Sequence, residues 1–224
     1  MNLVITTFYT SHVDPQRNIV WKADYSKLQA LIDSVVAHGE KLVILHDCFD
    51  DIEDTDHVKH VKVECKMNPY YQRWFDIEDY LEAHPEVEKV FCVDGTDVVM
   101  LKSPFSEMEN GKLYVGDETK VLGDPYTRTD WPHEFMQGFV DQNLGKTLLN
   151  AGLCGSDRET LLDFLAEMRA AYIFLTEERL SPFDMSLFNL VCYDHFEDEI
   201  VHGEKVNTVF QSFTPNDISW WMHK

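Results

Sequence analysis

The sequence predicts an α/β fold with a mostly parallel central sheet flanked by helices, and three observations lead there. Strand-length apolar runs alternate with helical patterns through the first half of the chain. Those runs have the composition of strands buried on both faces, and residues 1–224 carry no internal repeat, linker or low-complexity tract. A single domain is expected over 1–224.

The elements follow in order. Leu3 to Tyr9 is a β-branched and aromatic run that reads as the first strand. A polar stretch leads to a helical pattern through Tyr25, Leu28, Leu31, Ile32 and Val35, which closes at Gly39. Lys41 to His46 reads as a second, buried strand and Val58 to Val63 as an alternating third. Pro69, suited to a first helical turn, opens a helix with apolar positions Tyr70, Trp74, Ile77, Tyr80 and Leu81. Val90 to Val93 and Val98 to Leu101 are strand segments on either side of the acidic pair Asp94 and Asp97, and Lys112 to Val115 is a further strand. Asp117 to Gln137, with Gly123, Pro125, Trp131 and Pro132, reads as a long loop, a length that is uncommon unless the loop binds something or is disordered. Leu148 to Cys154 leads into a helix from Arg158. After Pro182 comes a short helix through Asp184, Leu187, Phe188 and Val191, and then closing strands at Val206 to Phe213 and Ile218 to Met222.

Composition excludes several classes. A content of 44% hydrophobic residues is ample for a core, and no stretch approaches the roughly 20 apolar residues that span a bilayer. The start MNLVITTFYT lacks the basic segment and cleavage site of a secretory signal, so a cytoplasmic location is expected, the host cytoplasm if the source is viral. The five cysteines are odd in number and form no CxxC pair, which argues for buried thiols over a disulfide or zinc framework. A formal net charge of −21 repels polyanions and counts against general binding to nucleic acid or anionic membrane, leaving room only for a local basic pocket.

The chemistry concentrates in VFCVDGTDVVM, Val90 to Met100. Buried carboxylates cost several kcal/mol unless paired, so two acids punctuating a core strand call for a partner. Two readings stand side by side. Asp, Gly and Thr build an ordinary tight turn; alternatively, hard oxygen donors at this spacing suit Mn²⁺ or Mg²⁺, with substrate phosphates completing the shell and Gly95 allowing a sharp turn or close approach to a ligand.

The order of landmarks resembles that of the GT-A fold glycosyltransferases, most closely the glycosyltransferase domain of collagen lysyl hydroxylases and related procollagen glycosyltransferases. There a strand ends in Asp-x-x-Asp-Val, matched here by Asp94, Gly95, Thr96, Asp97 and Val98. An acidic strand end is matched by Leu113 to Glu118. A Leu-Asn-Ser-Gly segment is matched by Leu149, Asn150, Ala151 and Gly152, and an Asp-x-Gln-Leu-Phe helix start by Asp184, Met185, Ser186, Leu187 and Phe188. An Ile-Phe-Gln-Asn strand is matched by Val209, Phe210, Gln211 and Ser212. The resemblance runs over residues 70 to 213, with Met185-Ser186 departing from the family's usual pair.

The resemblance implies the site. Asp97 would bind the metal, and Asp94 would share it or touch the nucleotide ribose. The histidine ligand would be His223, with His202 as the second candidate, and Lys224 would contact phosphate; a surface or core role is the alternative for either histidine. Arg73 would reach the diphosphate or ribose, or else lie on a solvated helix face. Thr6, Thr7 and Phe8 would lie against the nucleobase, or be plain strand. Asn150 and Asp184 would meet the sugar or the acceptor hydroxyl, Asp184 as general base or as helix N-cap. Glu118 or Asp117 would bind sugar hydroxyls. Trp131 and His133 would form an acceptor platform or lid, with a hydrophobic anchor as the alternative.

The expected activity is transfer of a hexose from a nucleoside diphosphate sugar, a UDP-sugar by preference, to an acceptor hydroxyl with Mn²⁺ or Mg²⁺ as cofactor. The acceptor is open among glycan, protein, lipid, small molecule and a hydroxymethylated DNA base as in phage-type DNA glycosyltransferases. A non-catalytic nucleotide-sugar binding protein is the alternative of a different class.

Overall fold

The computed structural model describes residues 1–180 and 184–223. The strands are β1 (Asn2–Phe8), β2 (Val13–Asp14), β3 (Ile19–Val20), β4 (Leu42–His46), β5 (Val58–Lys62), β6 (Lys89–Val93), β7 (Val98–Met100), β8 (Leu113–Val121), β9 (Thr147–Asp157), β10 (Ile200–Val201) and β11 (Trp221–His223). The helices are α1 (Gln29–Ala37), continuing a 3₁₀ turn at Tyr25–Leu28, then α2 (Pro69–Ala83), α3 (Pro125–Asp130), α4 (Glu134–Gln142), α5 (Arg158–Glu177) and α6 (Asp184–His195).

The central sheet has the order β10-β8-β9-β6-β1-β4-β5. Strands β5, β4, β1 and β6 run parallel, while β9 runs antiparallel to both β6 and β8. The expected α/β arrangement with a mostly parallel sheet and flanking helices is therefore present. Strand β1 alternates between two cores: Leu3 and Ile5 join the cluster packed by α2, α4, α5 and α6, whereas Val4 and Phe8 join the one packed by α1, β7 and β11. Val43 and Leu45 against Leu42 and Ile44 in β4 do the same, which is why these strands read as unbroken apolar runs. The chain crosses from β1 to β4 on one side and reaches β6 on the other. The carboxyl ends of β1 and β6 thus flank a topological switch point, where open α/β sheets bind ligands.

Three expectations are corrected. The segment 117–137 is not a loop: β8 continues to Val121, Pro125 starts α3 at its first turn, and α4 follows. The chain does resume as a strand after the acidic pair, and this strand, β7, pairs antiparallel with β11 outside the central sheet. Val206 to Phe213 is not a strand, because Gln211 and Phe213 adopt left-handed backbone at φ 62° and 55°. Finally, the polar stretch after β1 contains the β2–β3 hairpin.

No helix among the described residues is long and apolar enough to cross a membrane.

Candidate metal centre at the switch point

Strand β6 ends at Val93, and residues 95–97 then form a turn that returns the chain into β7. The turn reading of the acidic pair holds, and ligand atoms of its two acids lie within 4.8 Å of each other. Thr6, 1% exposed on β1, donates to the Val93 carbonyl at 2.7 Å and fixes the strand end. A Cβ on Gly95 would sit 2.6 Å from Leu28 Cδ2 and 3.0 Å from Thr6 Oγ1. Gly95 therefore serves close packing against the protein.

The third member comes from far along the chain. The β7–β11 ladder pairs His223 with Val98, next to Asp97, and the imidazole edge lies against Phe210 with ring centroids 4.9 Å apart. Ligand atoms of Asp94, Asp97 and His223 all lie within 4.8 Å of one another. His223 Nε2 is 3.9 Å from Asp94 Oδ2 and 3.9 Å from Asp97 Oδ1, too far for hydrogen bonds. Asp97 Oδ1 and His223 Nδ1 are buried without a hydrogen-bond partner among the described residues. Orphaned buried polar atoms are rare and need a cause. For Asp97 Oδ1, a divalent cation between the two carboxylates and His223 Nε2 would meet that need, and the mixed oxygen and nitrogen donors would suit Mn²⁺ better than Mg²⁺.

The electrostatics agree with that donor set. Burial, reinforced by the Asp94 charge, raises the Asp97 pKa to about 7. Burial lowers that of His223, against the pull of Asp94, which keeps the imidazole neutral and able to ligate at neutral pH. Both shifts describe groups that gain from a cation.

Gly152 on β9 gives the cluster its room. Its carbonyl accepts from the Asp94 amide at 2.9 Å, and its own amide donates to Asn150 Oδ1 at 2.8 Å. A Cβ there would lie 2.5 Å from His223 Cε1 and 2.6 Å from Asp94 Oδ2. Gly152→Ala should cost about 1–3 kcal/mol by overpacking and weaken Mn²⁺ binding at least about tenfold. Calorimetric titration with Mn²⁺ checks this, and wild-type affinity in the alanine variant would refute the placement.

Arg73 on α2 is not on a solvated face. Its Nη1 donates to Asp94 Oδ1 and its Nη2 to Asp184 Oδ2, both at 2.7 Å, and its guanidinium lies 4.5 Å from the Trp74 ring centroid. With both Nη groups on carboxylates, it orders the acids and does not offer them an open fork. Burial raises the pKa of Asp184, at the start of α6 and 9% exposed, although Arg73 opposes this. Asn150 uses its amide nitrogen on Glu118 Oε1 at 3.1 Å, so these two predicted sugar contacts touch one another. Burial also raises the Glu118 pKa.

The other predicted residues divide. Thr7 and Phe8 lie at the carboxyl end of β1, with Phe8 stacked on Phe49 at 5.5 Å. His202 is exposed and faces Asp117 at 3.0 Å, outside the metal cluster. Trp131 is 1% exposed against Phe139, which makes it a hydrophobic anchor and rules out an acceptor platform. His133 is half-buried and stands at the N-cap position of α4 without a side-chain capping bond. Lys224 lies outside the described residues.

Sequence reasoning passed over Asp14 and Arg17. Arg17 Nη2 lies 3.8 Å from Asp97 Oδ2. The turn composition of Asp14-Pro15-Gln16-Arg17-Asn18 between Val13 and Val20 was the available signal.

No protein-family model matches the chain, and a search of curated proteins finds no match.

Proposed function

We propose that the chain is a metal-dependent GT-A-type glycosyltransferase that moves a hexose from a nucleoside diphosphate sugar, a UDP-sugar by preference, to an acceptor hydroxyl. The observation that carries this reading is the meeting of Asp94, Asp97 and His223 at the carboxyl end of β6, beside the switch point of a mostly parallel sheet. Asp94, Asp97 and His223 would hold Mn²⁺, which when bound supplies Lewis-acid stabilisation of charge developing on a departing diphosphate.

The chain's own residues supply orientation. Arg73 fixes Asp94 and Asp184 relative to each other, so the metal-binding acid and the residue at the α6 start move as one unit. Asp184, at the start of α6 with its pKa raised by burial, would accept the acceptor's proton. Asn150 and Glu118, bonded together on neighbouring strands, present a polar wall for sugar hydroxyls. Thr7, half-buried at the end of β1 beside the buried Phe8, would lie against the base.

The test is incubation with several UDP-hexoses and Mn²⁺, following UDP release and melting temperature. Metal-dependent stabilisation by UDP and turnover with at least one donor are expected, and Asp97→Ala should lose both. If no nucleotide sugar stabilises the wild type in a metal-dependent way, the reading is wrong; stabilisation without turnover would instead identify a binding protein.

A further inference from the structure

We infer that Arg17, presented by the β2–β3 hairpin, is the cationic arm of a diphosphate subsite completed by the Asp94, Asp97 and His223 cluster, and that in the unliganded protein it rests on Asp97 as a placeholder. The inference deepens the proposed function and rests on it.

Four observations support it. First, the hairpin is built around a carboxylate whose bonding is complete. Asp14 is 4% exposed; its Oδ1 accepts from the amides of Gln16 and Arg17 at 2.9 Å and from the Tyr70 hydroxyl at 2.8 Å. Its Oδ2 accepts from Trp21 Nε1 at 2.9 Å and Arg17 Nη1 at 3.1 Å. Burial works against the charge, yet these donors together hold the Asp14 carboxyl below its usual range. The Tyr70 bond ties this network to α2, the helix that also carries Arg73. A two-residue ladder with exposed Val13, Ile19 and Val20 is marginal on its own, so this network holds the hairpin in place.

Second, only half of the Arg17 fork is used. Nη1 is held by Asp14, while Nη2 is turned toward Asp97 Oδ2 at 3.8 Å, an ion pair beyond hydrogen-bond reach. The side chain is 42% exposed, so its outer face is open to a ligand arriving from solvent.

Third, the other arginine at the cluster is committed, since Arg73 places both Nη groups on Asp94 and Asp184. Of these two arginines among the described residues, the one free to move onto an arriving anion is therefore Arg17. Fourth, the cluster beside it holds a buried carboxylate oxygen, Asp97 Oδ1, with no partner among the described residues, and His223 Nε2 faces both acids at 3.9 Å. Three protein ligands leave an octahedral hard cation with positions for oxyanions. A ligand bound to the cluster and within reach of Arg17 must present several anionic oxygens on linked centres, which a diphosphate does and a carboxylate or single hydroxyl does not.

Arg17 consequently plays opposite parts in two equilibria. It competes weakly with a cation for Asp97 while no anion is present, and it assists anion binding once the cation is held.

The test is calorimetric titration of wild type, Arg17→Met and Arg17→Lys with Mn²⁺ alone, and then, at saturating Mn²⁺, with inorganic pyrophosphate, UDP and uridine. Arg17→Met should bind pyrophosphate and UDP at least about tenfold more weakly, the scale of one lost charge-assisted hydrogen bond, and bind Mn²⁺ alone as well as wild type or better. Arg17→Lys should recover part of the loss, and any uridine affinity should not change. Wild-type pyrophosphate affinity in Arg17→Met overturns the inference, and so does a parallel loss of Mn²⁺ affinity, which would make Arg17 part of the metal site's framework. Failure of the wild type to bind pyrophosphate or UDP with Mn²⁺ defeats the proposed function as well, so the two failures are distinguishable.

Discussion

Asp97→Asn is expected to melt higher than wild type at pH 8 in the presence of a chelator, and to gain nothing from Mn²⁺. The carboxylate of Asp97 is held among buried neighbours beside Asp94, with an oxygen that has no partner among the described residues. Its folded pKa, about 7, lies well above the 3.8 of an ordinary aspartate. Between those values the folded state keeps a proton that the unfolded chain has released. Stability from this group is whole below about pH 4, falls as pH rises toward 7, and stays lost above it. Roughly three units correspond to at most about 4 kcal/mol, and relaxation around the acid will leave on the order of 2–4. For a chain of this size that is roughly 5–15 °C in melting temperature.

The near-isosteric amide removes the penalty, so the advantage of Asp97→Asn should shrink as pH falls and vanish near pH 4. His223 has the opposite sign: its pKa is depressed, so its contribution is present above about pH 6.5 and lost on acidification. Comparing variant and wild type at each pH removes that background. Mn²⁺ should then reverse the order, since a ligand at a thousand times its Kd adds about 4.1 kcal/mol to wild type alone. Thermal melts across pH with chelator and with Mn²⁺ check both halves. A variant less stable than wild type in chelator at pH 8 would show that Asp97 is already satisfied.

Arg73→Met should be the most destabilising single change at the site, by about 3–5 kcal/mol at pH 8. Methionine keeps most of the packing against Trp74 but leaves two carboxylates without their shared cation. Asp184 suffers most, because burial already outweighs Arg73 in setting its pKa. The sign again follows from protonation. Without the guanidinium the Asp184 pKa rises further, so the loss should be greatest in alkali and shrink toward pH 4, where the acids are neutral in both states. Adding Asp184→Asn to Arg73→Met should restore a substantial part of the stability, and a double-mutant cycle from urea unfolding measures the coupling. Purely additive single effects would mean that the bridge contributes nothing beyond its parts.

The contrast between these two acids shows what the residue pattern could and could not tell. The strands β1, β4 and β6 were legible because each is buried on both faces, and the helices from Pro69 and Arg158 because of their periodicity. The acidic pair and His223 were singled out as candidate ligands, and the structure does bring them together. Glu118 and Asn150 were also singled out, each as a contact to sugar, and are partners.

Long-range pairing was not legible. Nothing in the spacing of Arg73, Asp94 and Asp184 announces that one guanidinium bridges both acids, because the contact depends on how α2 and α6 pack on the sheet. The segment 117–137 misread because Gly123, Pro125 and Pro132 look like loop punctuation, although Pro125 occupies the first turn of α3, where proline is at home. The stretch Val206 to Phe213 misread in the other direction. Its β-branched and aromatic residues suggest a strand, but the segment turns, and Phe210 packs on the imidazole. Arg17 escaped because its strands are two residues long and their outward-facing side chains are apolar, so no periodicity marks them.

The ladder that delivers His223 makes metal competence a matter of strand register. Trp221 and His223 point inward from β11 while Met222, between them, points the other way. A slip of one residue along β7 would carry the imidazole to the opposite face and set a thioether against Asp97, a donor too soft for a hard cation. The β7–β11 pairing also closes a loop of more than half the chain, so the acids of the turn meet their nitrogen partner through one of the most non-local contacts of the fold. On the proposed metal reading, a chain whose β11 has frayed or mispaired would keep its sheet and both aspartates and lose the imidazole ligand.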